Sequence, residues 1–323
     1  MTKNRYNGLI NVYKEPGFTS NDVVAKMRGI LKQRKIGHTG TLDPDAVGVL
    51  VVCVGTGTKL VEILTDHNKE YIAVCRLGVT TDTQDMSGNV LTENDVNVTS
   101  EMLHKAVHKF VGEYDQIPPM YSAIKVGGKK LYELAREGKE VERKPRRIKI
   151  DMINILDESH LQDEHVFTME VKCSKGTYIR TLCNDIGESL GCGGAMEHLT
   201  RTKVGNFGLE NAYTLSQIEQ LRDEDRLDEI IMPSEYIFRN LDVVHIRDDY
   251  RKMLENGNSF KLEHISDEQP DDEQDVIESD KLYADGTKVR VYGNDGTFFG
   301  IYYYDERIGS FRTYKFFYEK PQD

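Results

Sequence analysis

A loop that carries one carboxylate and runs directly into an apolar strand constrains this chain more than any other feature. The run Gly37-His38-Thr39-Gly40-Thr41-Leu42-Asp43-Pro44 precedes residues 49–54, Val-Leu-Val-Val-Cys-Val, which glycines bound at 48 and 55. A short β-branched run between glycines predicts a buried strand. Proline drives the residue before it out of the α region, so Asp43 is held in extended or turn backbone. Gly37 and Gly40 let another molecule approach without a Cβ in the way. An Asp before Pro is also common in plain surface turns. Taken alone, the run reads as one.

The rest of the chain alternates irregularly between strand and helix patterns. Residues 8–13 read as a strand, and Thr19 or Ser20 caps a helix with Val23, Val24, Met27, Ile30 and Leu31 at helical spacing. Thr58 is expected to cap a second helix, since the glycines around it lack P-loop spacing. Further helices are expected from Thr99 or Ser100, over 131–137 after a turn at Gly127-Gly128, over 178–190 before Gly191, and over 215–231. Strands are expected over 71–79, 148–156, 166–173 and 199–207. The pattern predicts an α+β fold, a central mixed or antiparallel sheet flanked by helices. Pro233 opens a hinge. Beyond it, residues 238–323 read as a small β-rich domain with a helix near 249–254 and strands between 288 and 318. Its cluster of aromatics, Phe298 to Tyr318, is expected to be mostly core.

Composition narrows the class. The longest apolar stretch, 47–54, is far too short to span a bilayer. The first five residues lack the apolar core of a secretory leader, and the expected location is cytoplasmic. Five cysteines without a Cys-x-x-Cys pair predict free thiols in a reducing compartment and no zinc site, and the sequence offers no binding pattern for a cofactor, so none is expected. The net charge of −12 conceals its distribution: residues 263–280 hold nine carboxylates and no lysine or arginine. Residues 1–38 and 125–149 each carry a local charge of +6. Two basic regions of this kind can follow a phosphate backbone, although composition alone equally describes solvated faces.

Five blocks in order carry a resemblance that composition cannot. Lys14-Glu15-Pro16-Gly17-Phe18-Thr19-Ser20 comes first, then the Asp43 loop with Ala46-Val47-Gly48-Val49-Leu50. Lys69-Glu70-Tyr71 and Leu77-Gly78 lead to Thr81-Asp82-Thr83-Gln84-Asp85. Pro118-Pro119-Met120-Tyr121-Ser122-Ala123-Ile124-Lys125 follows, and Cys173-Ser174-Lys175-Gly176-Thr177-Tyr178-Ile179-Arg180 is last. Over residues 8–208 the chain resembles the TruB family, the bacterial tRNA pseudouridine-55 synthases. It departs from the family at Glu15, within a block that commonly reads Lys-Pro-x-Gly, and at Val47, where a threonine is frequent.

The resemblance implies a pseudouridine synthase domain over 1–237, a basic insertion over 119–147 that contacts the T arm, and a PUA-like RNA-binding domain over 238–323 with an acidic linker at 263–280. It implies that Asp43 is the catalytic carboxylate and Arg180 its cation. Tyr71 would stack on the target base, with Tyr178, Leu199 and Lys14 at the substrate site and His38 helping to turn the nucleotide out. The implied partner is the T stem-loop of tRNA, with no guide RNA, no obligatory protein partner, no membrane and a monomeric state. Two other readings stay open: an RNA-folding module without chemistry, and a glycoside hydrolase pairing Asp43 with Asp45.

Overall fold

The computed structural model describes residues 5–266 and 283–320. Strand β1 (Gly8–Lys14) leads to helix α1 (Ser20–Leu31), where Thr19 and Asp22 cap reciprocally. Strand β2 (Ile36–His38) delivers the Asp43 loop to β3 (Val47–Val54). Both faces of β3 are covered, which is why its sequence does not alternate. Leu50, Val52 and Val54 pack with α1, while Val49, Val51 and Cys53 pack on the opposite side. Thr58 does not cap a helix. It sits in a 3-10 turn, Gly55–Leu60, and its hydroxyl donates back to the Gly55 carbonyl at 2.8 Å. Helix α2 (Val61–Thr65) begins only after that turn.

Strand β4 (Lys69–Leu77) alternates strictly, with Tyr71, Ala73, Cys75 and Leu77 facing the core. It stops at Gly78, whose φ of 85° starts a separate hairpin of β5 (Val79–Thr81) and β6 (Val90–Glu93). Helix α3 (Ser100–His108), capped by Thr99, precedes β7 (Gly112–Gln116). The basic segment forms a small hairpin, β8 (Lys125–Val126) and β9 (Lys129–Lys130), followed by α4 (Leu131–Arg136). Strands β10 (Arg146–Asp157) and β11 (Val166–Cys173) pair antiparallel, and α5 (Ile179–Leu190) ends at Gly191 in left-handed backbone. Strand β12 (Gly194–Val204) starts earlier than its pattern predicts, and β13 (Phe207–Gly208) folds back on it. Helix α6 (Leu215–Asp223) is shorter than expected, because Asp225 takes φ 56° and Leu227–Glu229 tightens into a 3-10 turn.

The main sheet runs β1-β3-β12-β4-β11-β10-β7, with β2 paired to β3 and β13 to β12. Pairings along it are antiparallel except between β3 and β12. Strand β12 therefore stands between the strand that follows the Asp43 loop and the strand that carries Tyr71. A second sheet holds β14 (Asp242–Ile246), β15 (Lys288–Gly293), β16 (Phe298–Asp305) and β17 (Ser310–Phe316) in that order, with α7 (Arg251–Leu254) after β14. The sequence pattern missed β14, which pairs parallel to β15 across the intervening residues 247–287, a separation that no local signal bridges. Phe299, Tyr302 and Phe311 are fully buried in the core of this sheet. The segment after Pro233 is a 3-10 turn, Ser234–Phe238. Its Tyr236, Ile237 and Phe238 pack in one cluster with Leu9 and Val51 of the main sheet and Ile301 and Phe317 of the second. The acidic stretch, from 267 onward, lies outside the described residues.

Candidate active site

Leu42 and Ile179, the neighbours of Asp43 and Arg180, are buried in a single cluster with Tyr71 and Leu199. Burying those two apolar side chains together brings the loop carboxylate and the first turn of α5 face to face. Arg180 then grips Asp43 at two points, Nε to Oδ2 at 3.0 Å and Nη2 to Oδ1 at 3.1 Å. Its remaining N–H groups reach the carbonyls of Thr83 at 3.0 Å and Tyr121 at 2.9 Å, and Asp85 Oδ2 at 3.4 Å. Three hydrogen bonds and two ion-pair contacts thus surround the guanidinium and fix its plane. The Arg180 side chain is 6% exposed and that of Asp43 36% exposed. The cation is buried, and the carboxylate remains partly accessible.

Burial pushes the Asp43 carboxyl above the ordinary aspartate range; Arg180 pulls it down, Asp85 and Asp45 push it up, and Lys14 opposes them. The net direction is upward. Tyr71 lies in the β4 core face, and burial pushes its hydroxyl up to about 12, with Arg201 beside it pulling the other way. The Tyr178 backbone is clamped by Gln116, whose Oε1 accepts its N–H at 2.8 Å and whose Nε2 donates to its carbonyl at 3.1 Å. His38 Nδ1 accepts from the Gly40 N–H at 3.3 Å, and burial lowers its pKa, so the ring is neutral near pH 7.

The first sequence block fastens the Asp43 loop from below. Ser20 Oγ accepts from the Leu42 N–H at 2.9 Å, and the Gly17 N–H donates to the Pro44 carbonyl at 3.0 Å. Lys14, 1% exposed, donates to the carbonyls of Pro44 at 2.8 Å, Glu15 at 3.1 Å and Ala46. Burial pushes its ammonium down to about 8, so it stays cationic at neutral pH. With a folded value below 10.5, this burial costs stability below pH 8 and the cost eases as pH rises toward 10.5. Lys14→Met leaves three carbonyls without a donor and is expected to lower unfolding free energy by about 1–3 kcal/mol. Urea denaturation at pH 7 measures this, and a change below about 0.5 kcal/mol would contradict it.

Three polar residues around the site, Asp85 partly buried and Gln116 and Arg201 fully so, escaped the sequence reading. Asp85 sits in a quoted block with no role attached, and its Oδ1 accepts from Thr83 Oγ1 at 2.7 Å and the Ser87 N–H at 3.1 Å. Gln116 and Arg201 lie on strands β7 and β12, where alternation reveals a face but not what covers it. Among the described residues, the one cluster spaced to hold a metal ion is the exposed His160, Asp163 and Glu164, and none of the residues above belongs to it.

With this geometry in view, comparisons with known proteins identify the class. Residues 28–179 match the N-terminal domain of TruB family pseudouridylate synthases, and residues 180–239 match the tRNA pseudouridylate synthase B C-terminal domain. A tRNA pseudouridine synthase B of Lachnoclostridium phytofermentans is 50% identical over 315 residues, covering 96% of this chain and 99% of that one. Its counterpart from Staphylococcus haemolyticus is 45% identical over 291 residues, 88% of this chain and 93% of that one. Among solved structures, an H/ACA ribonucleoprotein bound to a substrate RNA containing 2′-deoxyuridine shares the fold. Its TM-score is 0.67 at 23% identity, over 97% of this chain and 85% of that one. A Cbf5–Nop10–Gar1 complex gives 0.65 at 26%, over 98% and 82%. The fold and these matches define a pseudouridylate synthase, an isomerase. Within that class the chain belongs to the TruB family.

Proposed function

We propose that this enzyme converts uridine 55 in the T loop of tRNA to pseudouridine, with Asp43 as the nucleophile acting on a uridine turned out of its stack. The observation that carries the reading is the two-point Asp43–Arg180 pair, with the cation buried and the carboxylate open. The relatives named tRNA pseudouridine synthase B, at up to 50% identity over nearly the whole chain, support tRNA as the substrate class.

The chemistry is an isomerisation. The N1–C1′ bond breaks, the base turns, a C5–C1′ bond forms, and the proton lost from C5 is balanced by one gained at N1. A carboxylate can attack the sugar or the base, or stabilise charge on the ribose, as in glycoside hydrolysis. Arg180 favours the ionised form against the effect of burial and orients the carboxylate through two contacts. Tyr71, packed with Leu199 at the base of the site, offers a ring face for the extruded uracil. Turning the nucleotide out costs a few kcal/mol, which contacts to the rest of the RNA must offset. The division into a catalytic domain over 1–237 and a PUA-like domain over 238–323 belongs to the same reading.

The basic hairpin supplies such contacts in this proposal. Lys129 and Lys130 form its second strand and Arg146 and Arg147 open β10, and the ion pairs of Lys129 with Glu137 and of Arg147 with Glu113 and Asp115 are exposed and weak. Reversing all four charges to Glu should weaken binding of a T-arm transcript by about 10- to 10³-fold and flatten its salt dependence. Filter binding across a salt series measures both. Unchanged affinity and slope would remove the hairpin from the RNA interface. The function itself is tested by nucleoside analysis of a T-arm transcript after incubation, where wild-type enzyme must yield pseudouridine at position 55 and no other uridine.

A further inference from the structure

Gln116 is 1% exposed, and its side-chain amide uses its carbonyl and both N–H groups within the protein. Oε1 accepts the Tyr178 N–H at 2.8 Å. Nε2 donates to the Tyr178 carbonyl at 3.1 Å and to the Tyr114 hydroxyl at 2.7 Å. The amide has one orientation here, because the N–H of Tyr178 needs an acceptor and its carbonyl needs a donor. A group that exchanges both bonds with a single residue does what the facing residue does in an antiparallel ladder. Tyr178 accordingly sits in extended backbone, with φ −98° and ψ 109°.

That conformation matters because α5 begins at the next residue, and Arg180 is its second. Tyr178 is the N-cap of α5, but its own side chain caps nothing. A helix start has N–H groups without intrahelical partners, and such ends fray unless something outside holds them. Gln116 is that outside hold. The same stretch of chain reaches Arg180 directly, since the Tyr121 carbonyl accepts from Arg180 Nη2 at 2.9 Å. Pro118 and Pro119 stand between Gln116 and Tyr121, and each fixes its own φ. Gln116 is itself anchored in the main sheet, opposite Arg146 of β10. One short, stiff segment therefore ties down both Tyr178 and Arg180.

Resting on the Asp43 reading above, we propose that Gln116 is a positioning residue that pins the first turn of α5 and so holds Arg180 in its two-point contact with Asp43. Buried as it is, Gln116 acts through the Tyr178 backbone and not on the RNA. A two-point contact at 3.0 and 3.1 Å needs its guanidinium placed to within a few tenths of an ångström. A frayed first turn would move the Arg180 Cα and leave one contact at most.

The test uses the full-length enzyme and a T-arm transcript, with Gln116→Met, which keeps the side chain's length and removes both bonds to Tyr178. Single-turnover rates between pH 4.5 and 8, transcript affinity and thermal unfolding are measured together. The rate near neutral pH should fall about 5- to 100-fold, with affinity within about threefold of wild type. The midpoint of the acid limb should also rise. Arg180 opposes the burial that raises the Asp43 carboxyl, and opposes it less once the first turn is loose. A merely structural loss lowers the unfolding temperature and leaves that midpoint where it was. Tyr114→Phe removes only the 2.7 Å bond and keeps the Tyr178 clamp, so its rate should stay within about threefold of wild type. A Gln116→Met loss below about fivefold, a loss without the upward midpoint, or an equal loss in Tyr114→Phe would overturn the proposal. If the methionine variant folds poorly, Gln116→Asn, too short to reach both Tyr178 groups, is judged by the same criteria. Failure of the Asp43 reading shows separately, as turnover that persists in Asp43→Asn whatever stands at position 116.

Discussion

Asp43→Asn is expected to abolish pseudouridine formation, lowering the single-turnover rate by about 10⁴-fold or more while transcript binding stays within about threefold. The amide keeps the shape of the carboxylate but neither its charge nor its nucleophilicity. It also turns an NH₂ group toward Arg180, where a donor meets donors, so one of the two contacts at 3.0 and 3.1 Å is lost. Arg180 retains Asp85 and the carbonyls of Thr83 and Tyr121, so the fold should survive at a cost of about 1–3 kcal/mol. Nucleoside analysis after single turnover measures the rate, and thermal unfolding measures the cost. A folded variant with turnover within tenfold of wild type would mean that another group attacks the substrate.

Arg180→Met has the second large effect, and it reaches both stability and pH dependence. Removing the guanidinium leaves Asp43 and Asp85 without their shared cation in a largely buried site, at a cost of about 3–5 kcal/mol. Burial already holds the Asp43 carboxyl above the ordinary 3.8, and Arg180 is the largest influence pulling it down. In wild type the rate should therefore fall on acidification with a midpoint above 3.8, since the nucleophile is lost as pH drops through its folded pKa. In Arg180→Met the midpoint should move further up, toward neutral pH, with a lower plateau. Single-turnover rates between pH 4.5 and 8 decide it. A midpoint that stays put or falls would mean that Arg180 does not set the charge state of Asp43.

Much of the architecture was legible in the chain because it is written in local physics. Thr19, Thr99 and Gly191 mark helix ends by the hydrogen bonds and backbone angles they favour, and each stands where expected. Strand β4 was legible because one face is buried and the other is not. Thr58 misled, since a capping hydroxyl and a back-bonding one look alike in sequence. The 215–231 pattern misled as well, because its apolar spacing continues past Asp225, where the backbone turns left-handed. Strand β14 was missed because its partner β15 lies beyond the acidic stretch, and pairing across such a distance leaves no local trace.

The candidate site divides the same way. The loop Gly37 to Pro44 reads alone as a surface turn, and it and the block ending in Arg180 stand out only as two of five ordered blocks that resemble one family. The sequence by itself therefore determined which carboxylate, which arginine and which aromatic side chains to consider, and the class of sheet that holds them. Only the tertiary structure decided that Leu42 and Ile179 share a core, that Asp85 and two carbonyls complete the Arg180 shell, and that Arg201 reaches from β12 to the carbonyls of Gly40 and Thr41. Those contacts join residues far apart in the chain, from 59 positions for Tyr121 and Arg180 to 161 for Gly40 and Arg201. They follow from strand order and from the burial of apolar neighbours, quantities that belong to the packed chain and not to any segment of it.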